Sequence, residues 1–175
     1  MILNRIIFAI WTFVTLIRLP FVVMTDQLIA TCAGSGTPPT AFVTKIAVVI
    51  SDDLPVWQKL NMTAFLASGV AAIAPDAIGA DYADADGTRY SPMFGQPVLV
   101  FEGDATRLAR TLERAVSRGV IPTVFTTDLF ATGDDTANRA AVAAVPRADL
   151  NLAGIAIRAD RKIVDKITEG LRLHP

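Results

Sequence analysis

The chain has 175 residues, of which 52% are apolar and 19% charged, and its formal net charge is −1. That is enough chain to bury one core with a tail to spare; the composition is too apolar for a disordered protein, and the charge gives no general pull toward nucleic acid or an anionic membrane. Cys32 is the only cysteine and His174, the second-last residue, the only histidine, which excludes an internal disulfide and argues against a thiolate or imidazole metal centre and a Ser/His/Asp triad.

No cofactor or metal is expected, so any chemistry must rest on carboxylates, Lys, Arg, Thr, Ser and backbone groups. Residues 1–43 read differently from the rest. The unbroken apolar run Ile6–Ile17 is short of the ~20 residues a spanning helix needs, and extending it takes in Arg18 and Pro20. Arg5 and the run that follows have the layout of a signal peptide, but no good cleavage site comes next. "LIATC" makes a weak lipoprotein box, because Thr31 and Asp26 do not suit one. The plainer reading is an apolar leader upstream of a true start at Met24, which makes the protein cytoplasmic. The alternatives are a cleaved signal and a membrane anchor through residues 6–23, and membrane contact is expected only if residues 1–23 are retained. "CAGSGTPPTAF" is a Gly/Ser/Pro-rich lead-in, and the domain is expected over residues 44–175.

"KIAVVI" predicts a strand buried on both faces. Asp53 stands where an N-cap is wanted, with Pro55 in the first turn of a helix. Val56, Leu60, Ala64, Ala67 and Ala71 recur at helical spacing and carry that helix to about Ala71; Gly69 within it implies close approach by another element. "DYADADGTRY" reads as a hairpin or loop turning at Asp86-Gly87. Its carboxylates resemble the start of a calcium loop, but Met93 stands where the closing glutamate belongs, so a turn is favoured. "QPVLVFEG" is a second strand and "DATRLARTLERAVSRG" a helix capped by Asp104 and stopped by Gly119. Arg107, Arg110, Arg114 and Arg118 fall within about 80° of one helix face. They read as a solvated outer face partnered by Glu113 rather than as a phosphate track.

"VIPTVFTT" is a third strand, followed by the polar loop "DLFATGDDTANR" and an alanine-rich helix. "LAGIAI" is a fourth strand, and "DRKIVDKITEGLRL" a closing helix capped by Asp160. Strands alternating with helices predict an α/β fold, a three-layer α/β/α domain with a mixed, largely parallel sheet of about four strands. Ligands of such sheets sit beyond the strand C-termini, here at "SDD" and "TTDLFAT". Asp52 and Asp53 could share a proton, but adjacent residues point apart and capping is the simpler role for Asp53. Asp128 could orient a water and Thr132 hold a carbonyl, the alternative being a plain polar loop.

Four stretches in order carry a resemblance: "KIAVVISDDL" with Lys45, Asp53 and Leu54; "GQPVLVFEG"; "DLFAT" with Asp128 and Thr132; and "LAGIAIRADRKIVDKITEGLRL". Together they resemble the type II peptidyl-tRNA hydrolase fold and in particular its bacterial offshoot, the domain-of-unknown-function 2000 family. The hydrolases carry a second lysine, a Gln and a His on the first helix, where this chain has Leu60, Ala64 and Ala67. Lys59 can replace that lysine only by a local shift. The resemblance carries over Asp128 and Thr132 but not the lysine or the helix Gln and His. The site expected here is hydrolase-like, with Asp128 positioning water, Thr132 binding an acyl carbonyl and Lys59 stabilising the oxyanion. Trp57, Lys59 and Asn61 give a lining different from the family's, and Asp53 fixes one wall of the crevice. The substrate would be a small molecule or an acyl ester; tRNA is weakly supported at this charge. Two alternatives on the same fold are a non-catalytic small-molecule or nucleotide-binding module, and a scaffold that dimerises through apolar faces around Trp57 or the alanine-rich segment. A homodimer is expected.

Overall fold

The structure, a computed structural model, describes residues 42–175; the leader, the Met24 start and the 6–23 anchor lie outside the described residues. In chain order its elements are β1 (Thr44–Ser51), α1 (Val56–Ile73), β2 (Tyr82–Ala83), β3 (Arg89–Tyr90) and β4 (Val98–Gly103). Then come α2 (Ala105–Val116), β5 (Thr123–Thr126), α3 (Asp135–Ala143), β6 (Leu152–Asp160), α4 (Arg161–Ile167) and β7 (Arg172–Leu173). Single 3-10 turns occupy Pro75–Ala77, Thr127–Ala131 and Arg147–Asp149.

β1 carries the core because its apolar run leaves no face for water. Ile46, Val48 and Ile50 pack in one cluster with Met62, Leu66 and Val70 of α1. The alternate residues Ala47 and Val49 pack in a second, with Leu108, Leu112 and Ala115 of α2 and Val164 and Ile167 of α4. The period-2 alternation of a strand points the two sets of β1 side chains to opposite sides of that strand. Each fully buried Leu or Ile contributes about 1.5–3 kcal/mol against the exposed state.

The main sheet runs β5-β6-β1-β4-β7, and β2-β3 form a separate hairpin. Only β1 and β4 pair in parallel; β1–β6, β5–β6 and β4–β7 are antiparallel. The sheet is mixed, as expected, but it is mostly antiparallel rather than largely parallel and has five strands rather than about four. β1, β4 and β5 do point the same way, as strand–helix alternation predicts, because α1 and α2 carry the chain back past the sheet. The segment after β5 does not return. It stays at the edge where β5 ends, tied by Thr127 N–H to Asn151 O at 2.9 Å, so β6 re-enters from that edge and runs antiparallel. The closing helix is also shorter than expected: it ends at Ile167, and after a turn at Gly170 the chain adds β7 against β4.

Two capping expectations change, and packing decides the core face of α1: it is Met62, Leu66 and Val70, while Val56 and Leu60 of the recurring set are exposed. Lys59 is the only charge in this helix, so nearly every face is apolar and periodicity cannot single one out. Asp53 does not cap α1. Pro55 is the N-cap, its carbonyl taking the Gln58 and Lys59 N–H groups, while the Asp53 carboxylate accepts the Ser51 hydroxyl. Asp160 stands at the N-cap of α4 without a side-chain cap bond. Asp104 does cap α2, through Arg107 N–H at 2.8 Å, and Gly119 follows that helix at φ 70°, a left-handed stop. The 82–90 hairpin forms as expected. Asp84 organises it by accepting Asp86 N–H, Thr88 N–H and the Tyr90 hydroxyl.

Candidate functional site

The expected site residues fall into two groups at the edge where β1, β4 and β5 end. Lys59 folds back over the corner after β1, its Nζ donating to Asp52 O at 3.1 Å, while Asp52 N–H donates to Gly103 O. Asp53 is held by Ser51 on the same corner. Trp57 is 61% exposed, and Asn61 is exposed one turn on. The second group lies past β5. Asp128 is exposed in the 3-10 turn, and among the described residues its carboxylate has no hydrogen-bond or ion-pair partner. Thr132 donates to Leu129 O at 2.9 Å and also meets the Asn138 side-chain oxygen. One contact joins the groups: Trp57 packs edge-on against Phe130, ring centroids 5.8 Å apart. No hydrogen bond links any two of Lys59, Asp128 and Thr132; each polar partner is local.

A second place was not legible in the sequence. Between α1, β5 and α3 lies a cleft of about 550 Å³. Its floor and walls are apolar: Phe65, Leu66, Val124, Phe125, Leu129 and Val142. Polar groups stand among them: Ser68, Thr123, Asn138, and the pair Arg139–Asp135, whose N···O distance is 2.5 Å. Phe125 is the hinge of an aromatic row, 5.8 Å from Phe65 and 4.9 Å from Phe130 between centroids. The row therefore connects the cleft with Trp57 at the strand-end corner.

The cleft exists because β5 is the last strand of the sheet, so α1 and α3 pack beside an unpaired strand edge rather than over another strand. Gly69 sets how close α1 comes. A Cβ there would lie 3.0 Å from the Thr123 Cβ and nearer still to both its γ atoms. None of the six expected residues lines this cleft; Thr132 reaches it only through Asn138. The one sequence signal toward it was Gly69, a glycine inside a helix that announces a near neighbour.

Outside these two places, hydrogen bonds from the Arg158 guanidinium hold the Asp76 carboxyl below the usual 3.8, and Asp84 is lowered first by the Tyr90 hydroxyl and then by Thr88 N–H. Thr126, buried at the end of β5, has a hydroxyl with no partner among the described residues. Among those residues no three of His, Cys, Asp and Glu gather to hold a metal, and no helix is long and apolar enough to cross a membrane.

Comparison with known proteins gives the relatives. Residues 44–175 match a family described as "Protein of unknown function (DUF2000)". Among solved structures, the protein of unknown function Atu0240 from Agrobacterium tumefaciens is 45% identical, covering 77% of this chain and 99% of that one, with a TM-score of 0.75. No curated protein matches. The family matches the whole of β1 to β7 and both places described above, and the chain belongs to the DUF2000 family.

Proposed function

We propose that the domain is a binding module for a small, mostly apolar molecule with one polar or anionic end, held in the cleft between α1, β5 and α3. The observation that carries this is the cleft itself. About 550 Å³ of concave space, walled by aromatic and aliphatic side chains with a few polar groups among them, has the size and chemistry of a small-molecule site. Phe65, Phe125 and Val142 would enclose the apolar body. Asn138 and the Arg139 guanidinium would meet the polar end, with Asp135 and Thr132 orienting them.

The test is thermal unfolding of the full chain against a panel of medium-chain fatty acids, aromatic carboxylic acids and nucleosides. Binding to the folded state raises the midpoint by linkage, about 2.7 kcal/mol of stabilisation at a hundredfold excess over Kd. The expected result is a hit among the amphipathic acids that Val142→Trp, which fills the cleft, abolishes. If no compound stabilises the chain, or the shift survives in Val142→Trp, the cleft is not the site.

The Trp57–Phe130 contact favours a second reading. It holds the first turn of α1 against the turn that bears Asp128, which supports a type II peptidyl-tRNA hydrolase-like reading. The finer fold assignment, helices on both faces of the sheet, is supported by the two core clusters on alternate residues of β1. Under this reading the exposed Asp128 takes a proton from water as it attacks an acyl ester, and returns it to the alcohol oxygen that leaves when the acyl–oxygen bond breaks. Lys59 or Thr132 must swing from its present carbonyl partner to meet the oxyanion. Ester cleavage on peptidyl-tRNA that falls about a hundredfold in Asp128→Asn would support it. No turnover at high enzyme concentration would end it.

A further inference from the structure

The arginines along α2 are largely solvated, as their spacing suggests: Arg107, Arg110 and Arg118 are exposed and Arg114 is half-buried. Arg107, Arg110 and Arg114 line a small depression of about 120 Å³ where α2 meets the turn Glu169–Leu171 after α4. They flank the buried side of the helix, with Thr111 at the bottom, almost fully buried. The expected partner Glu113 is engaged elsewhere: its carboxylate binds Arg147 at 2.8 Å. Arg114 is anchored by two backbone carbonyls, Ile167 O at 3.3 Å and Glu169 O at 2.8 Å, which orient its guanidinium without neutralising it. Arg118 likewise bonds the Arg114 carbonyl. Arg107 has only a loose pairing with Asp104 at 3.8 Å on the same helix. Arg110 has no ion pair or hydrogen bond among the described residues, and the Glu169 carboxylate, though it lines the depression, pairs with none of the three.

Three guanidinium groups gathered round one concavity repel one another unless an anion joins them, and a planar fork of N–H donors is the group best matched to phosphate oxygens. We infer that this depression binds the phosphate group of a small ligand, inorganic or esterified, with Arg110 as its principal contact and Arg114 as a pre-set second. The depression faces the α2/α4 cluster, whereas the apolar cleft belongs to the α1 cluster. The two inferences therefore stand or fall separately.

The experiment is calorimetric titration of the full chain with inorganic phosphate and with pyrophosphate, repeated on Arg110→Gln and on Arg89→Gln. Arg89 is an exposed hairpin arginine paired with Asp81, so its loss matches the change in net charge. Saturable binding that Arg110→Gln weakens about tenfold or more and Arg89→Gln leaves unchanged is the expected result. A phosphomonoester binding with the same variant pattern assigns the source to a phosphorylated metabolite, and phosphate alone to the free anion; either supports the site. No saturation below about 10 mM, or equal weakening in both variants, overturns it. Single-stranded RNA binding without a saturable pyrophosphate site also overturns it, in favour of a track along all four arginines.

Discussion

Gly69 sits where the α1 backbone passes over Thr123, and the missing side chain is what allows the two elements to touch. Adding a methyl group raises helix propensity by about 1 kcal/mol but forces a clash, and overpacking of this kind costs typically 1–3 kcal/mol. Gly69→Ala is therefore expected to destabilise the domain by about 1 kcal/mol in urea unfolding, and less when Thr123→Ala is also present. Stabilisation by Gly69→Ala would mean that α1 stands off β5. The glycine's meaning was legible because a mid-helix glycine is costly and needs a reason. Asp53 was not legible in the same way. Whether it caps depends on where Pro55 starts the helix, and the Ser51 hydroxyl competes for the same carboxylate.

At the scale of elements, the strand and helix segments through β5 were readable from apolar runs, caps and stops, since these are local signals. Strand direction was not. A strand's period is the same whichever way it runs, so "LAGIAI" carried no sign that β6 would slot antiparallel between β5 and β1. The face of α1 was equally hidden, because a helix with one charge in eighteen residues offers no polar side to exclude. The structure makes that face testable. Leu66 is fully buried and Leu60 is 68% exposed. Leu66→Ala should cost about 2–5 kcal/mol of unfolding free energy, and Leu60→Ala no more than about 0.5 kcal/mol. Equal costs would contradict the assignment of the core face.

Over the whole molecule, the expected site and the observed cleft share an aromatic row but not their polar residues. Trp57, Phe130, Phe125 and Phe65 link the corner after β1 to the space beside β5. Asp128 and Thr132 were visible in the sequence because a polar loop after a buried strand is a local pattern. The cleft was invisible because it needs the sheet order, which puts β5 at the edge. One surface of α1 is exposed: Val56 and Leu60 face solvent, and Trp57 is largely exposed despite its edge-on contact with Phe130.

The central claim is that this edge cleft, not the strand-end corner, receives the ligand. The most direct measurement is amide-resolved NMR of the full chain titrated with the best-stabilising compound. The account predicts shifts concentrated at Gly69, Val124, Asn138 and Val142, saturating together. Shifts concentrated instead at Asp53, Lys59 and Asp128, with the cleft resonances unmoved, would contradict it and return the chemistry to the corner after β1.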